Sequence, residues 1–305
     1  MEVILARPRG FCAGVNRAIN VVNKALEVYQ PPVYVLHEIV HNTHVIRELE
    51  EKGAVFVEQL EDIPKGSIAI FSAHGVSQAV KERANELGLR TINATCPLVS
   101  KVHRRVSLLN KINYDVVVIG HKGHPEVEGT CGHASGSVHV VSSPDEVQCL
   151  QVNTPSRVGY VTQTTLSIDD TAEMLKALRR RFPEISAPSR TDICFATSNR
   201  QTAVRELSKA VDLILVVGSK NSSNSNRLRE VAQKNNIPAH LIDHAGEIER
   251  GWLDKARRIG ITAGASAPEH LVTELVAWLR ENYKVRTVRE MDGVDETICF
   301  QLPPI

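Results

Sequence analysis

An α/β fold of three small parallel-sheet domains in pseudo-threefold arrangement is what this 305-residue sequence predicts, and three observations carry that expectation. Short β-branched runs alternate with amphipathic helical stretches, the pattern of βαβ units whose strands are buried on both faces. The alternation repeats three times with closely matched spacing. In each repeat a cysteine stands where an extended stretch gives way to a helix: Cys12, Cys96 and Cys194, separated by 84 and 98 residues.

The first repeat is entered through an apolar strand, Val3 to Ala6, and the stretch Pro8-Arg9-Gly10-Phe11-Cys12-Ala13-Gly14. Glycines on both sides of Cys12 let backbone approach a ligand closely. Apolar residues at 15, 18, 19, 22, 25 and 26 then recur at helical spacing. A strand at Val33–Leu36 leads into a loop with His37 and His41, a strand covers Val55–Val57, and another at Ile68–Phe71 ends in Ser72-Ala73-His74-Gly75. The second repeat opens on Thr95-Cys96-Pro97, with Pro97 at the first helical position. Its strands are expected at 115–120, 138–141 and 159–162, ending in His124-Pro125-Glu126 after the first and Gln163-Thr164-Thr165 after the last. The third opens on Ile193-Cys194-Phe195, with strands at 213–218, 239–242 and 259–262 and loops Ser222-Ser223-Asn224 and Gly264-Ala265-Ser266. From each cysteine to the polar residue after the next strand is 29, 28 and 28 positions, reaching His41, His124 and Ser222. The domains expected are 13–96, with residues 1–12 as its N-terminal strand, 97–193 and 194–281, followed by a tail at 282–305 with possible strands at 285–288 and 298–302.

Composition narrows the function. Hydrophobic residues make up 42% and charged residues 23%, with a net charge of +1; nothing predicts a nucleic-acid footprint or a membrane surface. No run reaches membrane-spanning length and residues 1–7 lack the apolar core of a signal peptide. A cytoplasmic, reducing location follows, where six cysteines read as free thiols or metal ligands rather than disulfides.

Thiolates at helix N-termini are stabilised by free N–H groups and the helix dipole. Three of them suit zinc with a fourth ligand or an iron–sulfur cluster. The close cysteine pairs usual for structural zinc are missing, so one ligand per domain favours a cluster cradled between domains; three ligands on a [4Fe–4S] cluster leave one iron open. The plainer alternative is that these are small packed side chains, the role expected for Cys131, for Cys149 in an apolar helical stretch and for Cys299 in an apolar strand. His37-Glu38-Ile39-Val40-His41 matches the H-E-x-x-H zinc-protease pattern, which works only on a helix; here it directly follows a strand and occupies the repeat position of His124 and Ser222. No Walker or G-x-G-x-x-G loop occurs. Still, His41, His74, His124, Thr164, Ser222, Asn224 and Ser266, at strand ends and helix starts, are natural anion ligands. Taken singly each polar loop reads as a helix cap; their recurrence favours a shared anion site.

The motifs PRGFCAGV, ATCPLV, GHPEVEGT, TQTTLS, ICFAT, GSKNSSNSNRL and TAGASAP together resemble the 4-hydroxy-3-methylbut-2-enyl diphosphate reductase family, from Ala6 to about Leu271. The resemblance implies a trefoil-like arrangement of three α/β domains around a [4Fe–4S] cluster held by Cys12, Cys96 and Cys194. It implies substrate contacts at His41, His74, His124, Thr164, Ser222, Ser223, Asn224 and Ser266, with Glu126 as proton donor; Thr164, at the end of the last strand of the same repeat, is placed to relay that proton through its hydroxyl. It also implies reductive dehydration of the allylic diphosphate to isopentenyl and dimethylallyl diphosphate, with ferredoxin or flavodoxin supplying electrons. An iron–sulfur hydro-lyase and a cluster-based redox sensor are the alternatives.

Overall fold

Three separate parallel sheets carry the chain. The computed structural model describes residues 1–305, the side chain of Arg250 excepted. The first sheet contains β2 (Val33–Leu36), β3 (Ala54–Val57), β4 (Ile68–Phe71) and β5 (Arg90–Asn93), in the order β3-β2-β4-β5. The second contains β6 (Asp115–Ile119), β7 (Val138–Val141) and β8 (Val158–Thr162), in the order β7-β6-β8. The third contains β1 (Glu2–Leu5), β9 (Leu213–Val217), β10 (Ala239–Ile242), β11 (Arg258–Ala263) and β12 (Thr287–Glu290), in the order β10-β9-β11-β1-β12. Every pairing is parallel, which obliges each connection to cross over. The crossovers are α1 (Ala13–Tyr29), α2 (Thr43–Glu51), α3 (Gln78–Glu86), α4 (Pro97–Lys111), α5 (Pro125–Cys131), α6 (Pro144–Cys149), α7 (Ile168–Arg181), α8 (Phe195–Ser208), α9 (Ser223–Lys234), α10 (Arg250–Leu253) and α11 (Glu269–Asn282). No described helix is long and apolar enough to cross a membrane.

The same three-strand kernel, second–first–third, recurs in all three sheets, as the matched spacing predicts. In each, a further extended segment lies beside the third strand and runs on to a cysteine. This is β5 beside β4 before Cys96, β1 beside β11 before Cys12, and Ser186 bridged in parallel to Gly159 of β8 before Cys194. Residues 2–5 therefore pair in the third sheet, not with the first repeat that follows them in sequence. In the tail, the strand is Thr287–Glu290 and residues 298–302 form none. The expected burial of two cysteines is corrected as well. Cys149 ends the short α6 and Cys299 lies in this unpaired tail, so both are exposed, whereas Cys131 is half-buried beneath α4 and burial raises its thiol pKa.

The contacts group the chain into two compact units. One comprises residues 1–15, 41–46 and 195–299, the other 16–40, 47–194 and 300–305. In the first unit the third sheet is covered on both faces. Val3, Leu215, Ile259 and Ile261 pack with Leu271, Leu275 and Leu279 of α11; Ile4, Ile214 and Val216 pack with Val204 and Leu207 of α8 and Leu228 and Val231 of α9. In the second unit, β6 and β8 are sandwiched by α7 through Met174 and Leu178 and by α4 through Val102, Val106 and Leu109. The first sheet packs Leu36, Ala69 and Phe71 against Ala84 of α3. Burial of this kind, at about 25 cal/mol per Å² of apolar surface, is what holds the strand ends, and hence their loops, in fixed positions.

Candidate functional site

In the first unit the loop after β11 is the gathering point. Cys12 donates its backbone N–H to Ala265 O at 3.1 Å, and Ala265 donates its own to Asn224 Oδ1 at 2.8 Å. Ser266 Oγ donates to the carbonyl oxygen of His41 at 2.9 Å and lies 3.5 Å from Ser222 Oγ. Ser222 caps α9, accepting the Ser225 N–H at 3.3 Å and the Ser225 hydroxyl at 3.0 Å. Ser222, Asn224 and Ser266 are buried; Ser223, the first residue of α9, is half-buried. Buried hydroxyls and an amide around a helix start make a site suited to an anion.

The loop carrying Cys12 is fixed from below by Arg200 of α8, the largest fully buried side chain. Its guanidinium donates to Gly10 O at 2.7 and 3.1 Å, Phe11 O at 3.3 Å and Ala196 O at 2.9 Å. Nη1 also meets both oxygens of Glu296 at 3.0 Å. Gly10 sits at φ +69°, where an L side chain is strained, and a Cβ there would lie 3.3 Å from Ala267 O.

In the second unit the predicted residues form one continuous chain of contacts. Cys194 N–H donates to Thr164 O at 3.1 Å. Thr164 in turn donates its N–H to Glu126 Oε1 at 2.6 Å and its hydroxyl to Oε2 at 3.0 Å. Glu126, 3% exposed, donates its backbone N–H to His124 Nδ1 at 3.1 Å, so His124 caps α5 and the neutral imidazole carries its proton on Nε2. The His124 ring meets His74 edge-on, with centroids 5.9 Å apart. His74 follows Ala73, whose carbonyl accepts the Cys96 N–H at 3.0 Å. Cys96 is itself the N-cap of α4 ahead of Pro97. Arg17 of α1 donates to Thr95 O at 3.1 Å and Gln301 O at 2.8 Å; burial lowers its pKa, opposed by the charge of the nearby Cys96.

Each cysteine N–H is thus tied to the loop that follows a third strand, two residues past its end: Ala265, Ala73 and Thr164. The three thiols occupy equivalent places in three equivalent sheets. Segment 37–41 is not helical, and His37 sits at φ +56°, which removes the geometry the H-E-x-x-H pattern needs. Among the described residues no three or more His, Cys, Asp or Glu side chains are grouped to hold a single metal ion.

A family model described as LytB protein matches residues 3–280. The chain belongs to the LytB family. Proteins named 4-hydroxy-3-methylbut-2-enyl diphosphate reductase from Idiomarina loihiensis and Bordetella pertussis are similar to it at 52% and 55% identity. The alignments cover 100% and 99% of this chain, and 98% and 93% of theirs. Among solved structures, the E-1-hydroxy-2-methyl-but-2-enyl-4-diphosphate reductase of Plasmodium falciparum superposes with a TM-score of 0.96 at 41% identity, covering 99% of this chain and 95% of that one. A second structure, titled as (E)-4-hydroxy-3-methyl-but-2-enyl diphosphate reductase, the terminal enzyme of the non-mevalonate pathway, matches with TM-score 0.66 and 34% identity over 92% of this chain and 100% of that one.

Three residues that this LytB chain uses to shape its loops escape sequence reasoning: Arg200, Glu296 and Arg17. An arginine on a helix and a glutamate in a polar tail read as surface. The one available signal is that Arg200 lies on the apolar side of its helix, four residues before Val204.

Proposed function

We propose that this chain carries out the two-electron reductive dehydration of (E)-4-hydroxy-3-methylbut-2-enyl diphosphate to isopentenyl and dimethylallyl diphosphate. The observation that carries the reading is the buried Glu126 carboxyl, gripped at both oxygens by Thr164, whose carbonyl holds the segment of Cys194. Cys12, Cys96 and Cys194 would hold a [4Fe–4S] cluster. The fit rests on three thiols, each at the start of a helix and each fixed through its own backbone N–H to a rigid loop. When bound, the cluster supplies an iron open to the substrate hydroxyl and a route for single electrons.

The remaining work falls to the chain. His41, His74, His124, Ser222, Ser223, Asn224 and Ser266 grip the diphosphate, and that remote binding energy orients the C–O bond to be broken. Glu126 holds the proton that leaves with the hydroxyl as water, and the Thr164 hydroxyl relays it. The repeats 13–96, 97–193 and 194–281 act as three domains, with the cluster thiols Cys12, Cys96 and Cys194 standing at the junctions where each repeat begins. Electrons come from a small donor protein, a ferredoxin or flavodoxin, in the cytoplasm.

The test is anaerobic purification with iron and sulfide analysis, followed by assay with and without a low-potential reductant. The expected result is a coloured protein with four irons per chain, as a [4Fe–4S] cluster requires, that forms both products only with reductant. Cys12→Ser, Cys96→Ser and Cys194→Ser should each lose the colour and the activity; Cys131→Ser, Cys149→Ser and Cys299→Ser should keep them. A colourless but active protein, or dehydration that needs no reductant, would overturn the proposal.

A further inference from the structure

A cleft of about 510 Å³ lies in the second unit between α3, α4 and the end of α5, its wall reaching Asn93 and Thr95 just ahead of Cys96. Three cations line it: Lys81, Arg104 and Lys111. No carboxylate lines it, and among the described residues none of the three pairs with one. On a chain whose acids and bases nearly cancel, 35 against 36, three cations grouped around one cleft with no carboxylate among them give it a local positive potential that attracts an anion.

The floor of the cleft is two stacked imidazoles, His103 and His133, with centroids 4.0 Å apart. Their protonation is readable from their bonds. His133 Nδ1 lies 2.8 Å from Gly129 O, which only an N–H can satisfy, so its Nε2 accepts from Lys81 Nζ at 3.2 Å. His103, 5% exposed, has no hydrogen-bond partner at Nε2. Burial holds His103 down to about 3 and lowers His133 and Lys81 as well. The rings are therefore neutral flat surfaces at neutral pH, and the positive charge sits around them. Leu108, 59% exposed on the rim, adds an apolar surface beside the cations, which suits a ligand with an organic body rather than a bare ion. The volume falls within the range of small-molecule sites, roughly 300–1,000 Å³.

We propose that this cleft binds a small organic phosphate, its phosphate on Lys81, Arg104 and Lys111 and its body on Leu108 and the paired rings. The site is independent of the reaction assigned above. Titration calorimetry of the anaerobically purified full chain tests it, with phenyl phosphate as the probe and inorganic phosphate as the second ligand. Phenyl phosphate should bind more tightly than inorganic phosphate, and its affinity should fall as salt is raised. Arg104→Gln/Lys111→Gln changes two exposed positions and should leave the melting temperature intact while weakening phenyl phosphate roughly tenfold or more. The single change Lys111→Gln should weaken it less. Ser222→Ala, in the reaction loops, should leave this binding unchanged. Undiminished affinity in the double variant, or its loss in Ser222→Ala alone, would overturn the site. Equal affinity for the two ligands would overturn its organic character.

Discussion

Glu126 illustrates how one residue is committed by its neighbours. Both oxygens are taken by Thr164 and its own backbone N–H by His124, so the carboxyl has a fixed direction and little freedom to reorient. Glu126→Gln preserves shape but removes the acidic proton. Turnover should drop roughly 10²-fold or more, while iron content, thermal melting and substrate affinity stay near wild type; turnover within a few-fold of wild type would show that the proton comes from elsewhere. His103 carries a different expectation. Unfolded, it takes up a proton near pH 6.5; folded, it stays neutral to about 3. Across that window the unfolded state binds more protons, so stability falls as pH falls. The slope from this one group is about 1 kcal/mol per pH unit. Denaturant midpoints measured between pH 7 and 5 should therefore decline, and His103→Gln should flatten part of the decline; an unchanged slope would mean another group carries it. His41, His124 and Ser222 stood out in the sequence because they fall at matched loop positions, whereas Glu126 was singled out only through the family resemblance. That Thr164 answers Glu126 was not derivable from spacing, because the two meet only when β6 and β8 pair.

At the scale of elements, the repeat was legible because parallel strands buried on both faces leave long apolar runs, and matched spacing survives any divergence of the loops. The partner of β1 was not. Four apolar residues carry no mark of which sheet they will join, and proximity in sequence favoured the first repeat. In the structure β1 lies between β11 and β12, so the Cys12 loop is built on the third sheet, and Arg200 of α8 reaches it. Arg200→Met should strip Gly10 and Phe11 of their donors and leave Glu296 facing a neutral side chain. Removing one partner of a buried ion pair costs about 3–5 kcal/mol; urea unfolding should show a loss of that order. Glu296→Gln, which keeps a hydrogen-bond acceptor, should lose less. Equal, small losses in both would mean the pair is dispensable.

For the whole molecule, the tail is the part least predicted and most connected. Glu296 serves the first unit through Arg200, and Gln301 serves the second through Arg17. Both contacts are made by polar side chains or backbone with no apolar periodicity, which is why pattern reading offered only strands there, one displaced by two residues and the other absent. The position of β1 bears on how the chain is made. It leaves the ribosome long before either of its partners, so its pairing waits until β11 and β12 have been made. Contacts of such sequence separation form late, after local ones have closed the intervening loops. A nascent chain arrested before residue 258 should expose the Arg9–Gly10 bond to trypsin, whereas the chain with β11 and β12 made should protect it; protection in the arrested chain would point to a temporary partner for β1. Cys12 shares that delay, because its backbone anchor, Ala265, is translated after β11. Of the three thiols it is the first synthesised and the last to be set in place.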